Sequence, residues 1–123
     1  MQDVSGSWKL ATHIESSSYS RYAGLQLGYE MKLEQDGARV TGVGRKITEN
    51  GDEIGARAQT PVTVSGTITG DRLTLNFVER GARRPTQGKF VLLVDEGGAL
   101  RGRFSSNAAQ SSGRVEAYRV STQ

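Results

Sequence analysis

Several arginine, tyrosine and asparagine side chains fall in segments of the sequence that have the composition of loops. Arginine guanidinium groups bind carboxylates and phosphates through paired, charge-assisted hydrogen bonds. Tyrosine hydroxyls and asparagine amides add neutral donors and acceptors. If the fold gathers these loops at one place, we expect them to bind a small, partly apolar, anionic molecule. The side chains predicted to make the polar contacts are Tyr19, Tyr22, Arg80, Arg83, Arg84 and Asn107.

Three further residues are predicted to line the inner side of the same site. Tyr29 and Phe77 alternate with polar neighbours, a pattern typical of strands, and they would form part of an apolar wall. Glu79 continues the Phe77 face to the end of its segment. Its carboxylate would either orient a ligand or form a structural ion pair with Arg45 or Arg80, and both roles stay open.

The sequence offers little for covalent or metal catalysis. It contains one histidine, His13, and no cysteine, which excludes a Cys–His pair and forces any Ser–His–acid set to use His13. The sequence has no nucleophile elbow, histidine-rich metal motif, phosphate-binding loop or dinucleotide fingerprint. We therefore expect no enzymatic activity, no cofactor and no metal.

The charge distribution favours anionic partners without indicating nucleic acid. Sixteen basic and thirteen acidic residues give a formal net charge of +3, and residues 80–103 contain six basic and two acidic side chains. The basic residues expected on one outer face lack interleaved aromatic side chains on which bases would stack. These residues are Lys89, Arg101, Arg103 and Arg114.

Length and composition indicate one domain, residues 1–123. No segment approaches the roughly 20 apolar residues of a membrane span, and the first residues lack the pattern of a signal peptide. Without cysteine there is no disulfide framework to indicate a compartment. We leave the compartment open, with a preference for the periplasm or secretion.

Alternating apolar and polar residues predict a chain made of strands. In residues 6–17, Trp8, Leu10, Thr12 and Ile14 fall on one face, the period-two pattern of a half-buried strand. The connection 49–60 contains Asn50-Gly51, which indicates a short hairpin. Seven further strands are predicted, at 25–35, 38–48, 61–68, 73–79, 87–95, 100–104 and 113–120.

Long and short connections alternate between these strands. Tight turns follow the second, fourth and sixth predicted strands, and longer connections follow the first, third, fifth and seventh. An up-and-down meander with this alternation has all its long connections at one end. The even strand count lets the last strand pair antiparallel with the first, which removes exposed edges. We predict an all-β protein, a single antiparallel eight-stranded up-and-down β-barrel. The interior of such a barrel is either filled by side chains or holds one small ligand.

Three residues resemble the signature of the calycin barrels, which comprise the lipocalins, fatty-acid-binding proteins and avidins. Gly6 and Trp8 form a Gly-x-Trp at the head of the first strand, and Arg119 lies on the last. In that superfamily the arginine packs across the tryptophan at the closed end of the barrel. The resemblance implies that Trp8 and Arg119 form a structural plug, with a ligand site at the opposite end.

In length, strand count and loop alternation the chain resembles the avidin branch most, yet it departs from both the avidins and the lipocalins. Avidins hold biotin with several tryptophans and a polar residue two positions after the first-strand tryptophan. This chain has one tryptophan, and Leu10 occupies that position, so biotin is not the expected ligand. Lipocalins are usually longer and carry a helix after the barrel.

Two interpretations of function stay open. In the first, the open end of the barrel binds a small molecule. In the second, side chains fill the lumen and the protein acts through its surface, either as a homo-oligomer or as an inhibitor-like module that uses the connection 49–60. Outward apolar residues for such a surface are Val78, Val91 and Leu93.

Overall fold

The computed structural model describes residues 3–18, 23–55, 59–81 and 85–120. These ranges contain nine β-strands and one short 3₁₀ helix, Ala108–Gln110. The strands are β1 Gly6–Ser16, β2 Gln26–Asp36, β3 Arg39–Glu49, β4 Asp52–Glu53, β5 Thr60–Thr69, β6 Arg72–Arg80, β7 Pro85–Val94, β8 Leu100–Ser106 and β9 Ser112–Arg119.

Eight of these strands form a closed antiparallel up-and-down barrel, which confirms the predicted fold class. Around the ring the order is β2, β1, β9, β8, β7, β6, β5 and β3, and β3 pairs again with β2. The first and last strands meet with Trp8 opposite Arg119. The remaining strand, β4, lies outside the ring and pairs with the end of β3. It follows Asn50, whose φ of 52° suits asparagine, so the predicted hairpin in this connection is also confirmed.

The inward side chains form one apolar core that is most tightly filled toward the tight-turn end. Strand alternation places them there because every second residue of a strand faces the same side. Most of the side chains with almost no solvent exposure lie near the tight turns. The largest side chains that are less than 2% exposed, of which Val62 lies at the opposite end, are Val4, Trp8, Val40, Val62, Ile68, Leu73, Leu92, Leu100 and Val115.

Two inward glycines let neighbouring strands coil closely around this core. A Cβ atom on Gly66 would overlap the carbonyl group of Thr74, and one on Gly102 would overlap the carbonyl group of Val91. Because these contacts involve backbone atoms of the next strand, a side chain at either position would force the strands apart. The small residues therefore set how tightly the barrel is wound.

Trp8 and Arg119 lie together at the tight-turn end. The indole is 1% exposed, and its Nε1 donates to the Val4 carbonyl oxygen at 2.9 Å. The Arg119 guanidinium carbon lies 4.6 Å from the ring centre, and its two terminal nitrogens donate to the carbonyl oxygens of Ser5 and Asp3. A Cβ on Gly6 would lie 2.8 Å from Arg119 Nη1, so glycine leaves room for the guanidinium. These contacts hold the segment before β1 across the end of the barrel.

Candidate functional site

A cavity of about 250 Å³ lies inside the barrel at the end formed by the long connections. Phe77 and Phe90 form part of its wall and stack with ring centres 4.7 Å apart. The cavity is slightly smaller than the roughly 300 Å³ at the lower end of common ligand pockets, which suits a compact ligand. The apolar lining residues are Ile14, Leu25, Leu27, Phe77, Phe90, Phe104 and Ala108.

Three polar residues from different strands meet in this apolar surrounding, and we call them the Glu79 cluster. Glu79 follows Phe77 on the inward face of β6, so its carboxylate reaches the cavity. The Tyr29 hydroxyl donates to Glu79 Oε1 at 2.9 Å. Lys46 Nζ lies 3.5 Å from Glu79 Oε2, and the Lys46 and Glu79 side chains are 20% and 16% exposed. The cluster thus places an ion pair and a phenol beside the phenylalanine rings.

The environment of Tyr29 keeps its hydroxyl protonated. Burial is the main cause that raises the pKa of Tyr29 well above its usual value of 10.0, and the charge of Glu79 and the hydrogen bond to it act in the same direction. A phenolate here would be desolvated and would lie against a carboxylate. Tyr29 therefore remains a hydrogen-bond donor to Glu79 in neutral solution.

No protein-family model and no curated protein matches this chain. Among the described residues, no helix has the length and hydropathy needed to cross a membrane. The same residues contain no group of three or more histidine, cysteine, aspartate or glutamate side chains placed to hold a metal ion.

The ion pair considered for Glu79 forms with a different cation from the two that the sequence suggested. Arg45 lies on the outer surface, where its Nε donates to Glu30 Oε1 at 2.7 Å. Arg80 is exposed, and no ion pair joins it to Glu79 in the described ranges. Strand alternation explains the correction, because residue 46 continues the inward face of β3. Lys46 also lies directly opposite Tyr29 in the register of β2 and β3.

The predicted site residues divide into three groups. Tyr29, Phe77 and Glu79 line the cavity. Arg80 and Asn107 are exposed and do not line it; Asn107 Oδ1 instead accepts a hydrogen bond from the Gln87 backbone at 2.9 Å. Outside the described residues are Tyr19, Tyr22, Arg83 and Arg84.

Other polar groups in the lining were not predicted from the sequence. The Thr12 hydroxyl donates to the Leu27 carbonyl oxygen at 3.2 Å. The Ser111 hydroxyl, in a residue that is 4% exposed, donates to the Ala108 carbonyl oxygen at 2.7 Å. The 3₁₀ helix between β8 and β9 brings Ala108 and Ser111 to the cavity. The remaining polar lining residues are Glu49, Thr86 and Ser106.

The outer surface offers less for the alternative interpretation based on association. Leu93 is 53% exposed, whereas Val78 and Val91 are half-buried within the outer face of the sheet. Several outward arginines already have acidic partners. Glu15 accepts from Arg103 Nη2 at 2.6 Å and lies 3.1 Å from Arg114 Nε. An association surface near Leu93 stays a prediction.

The stability of the protein should depend on pH through Tyr29. Because the pKa of Tyr29 is raised in the folded state, its hydroxyl stays protonated in the folded protein at pH values where it ionises in the unfolded chain. The stabilising contribution is complete below pH 10.0 and declines above it, by about 1.4 kcal/mol per pH unit. Urea unfolding of the wild type and of Tyr29→Phe between about pH 8 and pH 11 measures this. The variant should lose stability less steeply above pH 10.0, and equal slopes would contradict the assignment.

Proposed function

We propose that this protein is a calycin-like barrel that binds a small, partly apolar molecule in the cavity at its long-connection end. The observation that carries the proposal is the combination of an open space of about 250 Å³ with the Glu79 cluster inside it. Burial of charged groups is costly, and a core optimised for stability alone tends to favour packed apolar side chains. A space that combines aromatic walls with a few polar groups is instead typical of a ligand site.

The lining indicates which kinds of chemical group the ligand carries. The stacked Phe77 and Phe90 rings offer an apolar surface for a flat ring. An ammonium group has three donors, and the contact of Lys46 with Glu79 at 3.5 Å leaves it able to donate to a further acceptor. We infer that the head group of the ligand presents a carbonyl or carboxylate oxygen to Lys46. Glu49 and Glu79 add negative charge to the lining, so Lys46 would have to carry any preference for an anion.

Titration with single-ring probes tests whether the cavity binds a ligand. Benzyl alcohol and benzoate, followed by ¹H–¹⁵N NMR, should shift the resonances of cavity-lining residues and leave those around Trp8 unchanged. Thr86→Leu, which adds bulk to the lining, should weaken binding at least about tenfold. The matched control is Thr63→Leu on the exposed outer face of β5, which should bind as the wild type does. Shifts spread over the surface, or equal binding by both variants, would overturn the proposal.

The charge of the head group is tested by comparing probes that share the same ring. Benzoate and benzyl alcohol should bind more tightly than benzylamine, because a cationic head group would lie against Lys46. If benzylamine binds best, Glu49 and Glu79 control the site. The inferred acceptor head group would then be wrong even though the cavity binds ligands.

A further inference from the structure

We propose that Lys46 captures small aromatic aldehydes reversibly as a Schiff base inside the barrel. This inference rests on the proposed ligand site and names a class of molecule for it, an aldehyde carried on a single aromatic ring. It also assigns a covalent role to the Lys46 amine, which lies in the cavity because residue 46 is on the inward face of β3.

Lys46 is in a different environment from the other lysines of the chain. The sequence contains Lys9, Lys32, Lys46 and Lys89, and the first, second and fourth are exposed on the outer surface. The Lys46 side chain is only 20% exposed and lines the same cavity as Phe77 and Phe90. Lysines in such partly desolvated apolar sites are the ones that proteins use for Schiff bases with carbonyl compounds. An aromatic aldehyde held against the phenylalanine rings would be confined near this amine.

Glu79 is placed to move the protons that this reaction needs. Its Oε2 lies 3.5 Å from Lys46 Nζ, a distance that a small side-chain adjustment closes for proton transfer. Tyr29 donates to the other carboxylate oxygen, Oε1, at 2.9 Å. This hydrogen bond holds Oε2 toward the amine, so Tyr29 is a positioning residue. The three side chains thus provide a nucleophile, a base and a group that orients the base.

The reaction balances with the groups present and the aldehyde. The Lys46 ammonium gives one proton to Glu79, and the nitrogen lone pair forms a C–N bond to the aldehyde carbon as the carbonyl π electrons move to oxygen. A proton then passes from nitrogen to that oxygen, giving a neutral carbinolamine. Glu79 returns its proton to the hydroxyl group, which leaves as water while the C=N bond forms. The net change is ammonium plus aldehyde to iminium plus water.

The product preserves the buried ion pair. An iminium carries the same single positive charge as the ammonium that it replaces, so the Glu79 carboxylate has a cationic partner both before and after the reaction. Loss of that partner would leave an uncompensated carboxylate at a site where only 16% of the side chain is exposed, which is strongly unfavourable. Because only 20% of the Lys46 side chain is exposed, water, which hydrolyses imines, has less access to this nitrogen than to that of an exposed lysine. The cavity therefore favours this imine over those formed at the surface.

Reductive trapping of the imine tests the proposal on the wild-type protein. Incubation with benzaldehyde and sodium cyanoborohydride reduces each imine to a stable N-benzyl-lysine. Peptide mass mapping then locates the modified lysines. Lys46 should be modified at least about tenfold faster than Lys9, Lys32 or Lys89, which serve as internal standards. Benzyl alcohol in excess should slow modification at Lys46 alone. Equal rates at all four lysines would overturn the proposal.

Two variants separate the roles of the neighbouring groups. Glu79→Gln should reduce the rate at Lys46 relative to the three surface lysines, because the base is removed. Lys32→Arg, which removes an exposed amine only, should leave the rate at Lys46 unchanged. A retained rate in Glu79→Gln would show that Glu79 moves no proton and would contradict the proposed mechanism.

Failure of the Schiff base and failure of the ligand site give different experimental results. If NMR shows that benzyl alcohol occupies the cavity and Lys46 has no preference for benzaldehyde, the Schiff base is wrong and the binding site stands. If neither probe occupies the cavity, both proposals fail together.

Discussion

Replacement of Trp8 by alanine is expected to lower the free energy of unfolding by about 3–5 kcal/mol. The indole is 1% exposed, so its removal leaves a cavity at the best-packed end of the barrel. The substitution also removes the hydrogen bond from Nε1 to the Val4 carbonyl oxygen and the stacking surface of Arg119. Urea unfolding followed by far-ultraviolet circular dichroism measures the change without relying on the tryptophan that is removed.

The control for this prediction is an apolar residue on the outer surface. Leu93→Ala removes a side chain that is 53% exposed, and it should change stability by no more than about 0.5 kcal/mol. A loss below about 1 kcal/mol for Trp8→Ala would show that the core does not depend on the indole, contrary to the cost of about 3–5 kcal/mol for deleting buried aromatic side chains.

Substitution of Gly102 by alanine is expected to destabilise the barrel by about 1–3 kcal/mol, the usual cost of overpacking. The new Cβ would overlap the Val91 carbonyl group of the neighbouring strand. The hydrogen bonds between β7 and β8 would have to lengthen to make room for it. The result is informative because glycine-to-alanine changes without steric conflict stabilise proteins by about 0.4–1 kcal/mol.

Gly55 provides the matched control for Gly102. A Cβ at this position meets no atom of the described residues within 4 Å, and its φ is not in the left-handed region. Gly55→Ala should therefore leave stability unchanged or raise it by up to about 1 kcal/mol. Urea unfolding of both variants gives the comparison. If Gly102→Ala is as stable as Gly55→Ala, the close approach of β7 and β8 is not a constraint on the fold.

The strand topology could be predicted because local chemistry and the alternation of loop lengths agree. Neighbouring residues alone are enough to predict a half-buried strand from the apolar face of β1 and a hairpin from Asn50-Gly51. The up-and-down order then follows from the alternation of tight turns with long connections. Strand ends differ from the structure by one or a few residues, because the ends of strands depend on pairing with residues distant in sequence.

The site was harder to predict because it depends on side chains that meet across several strands. Lys46 continues the inward face of β3, but Gly42 and Gly44 precede it, and glycines hide the alternation by which an inward face is recognised. Whether the lumen is filled depends on how tightly the strands coil, a property of the whole ring. Three arginines suggested an anionic ligand. Arg80 lies at the surface, and Arg83 and Arg84 are outside the described residues.

The pairing of β1 with β9 has a consequence for the order in which the barrel assembles. The other pairs around the ring join strands that follow one another or are separated only by the short β4, whereas Trp8 meets Arg119 across almost the whole chain. Closing a loop of roughly 110 residues costs about 4 kcal/mol of entropy, so we expect the local hairpins to form before this contact does. Until the ring closes, β1 and β9 each expose a strand edge with unpaired backbone N–H and C=O groups, which can pair with another chain. The fluorescence of the single indole is a natural reporter of the final, entropy-limited closure.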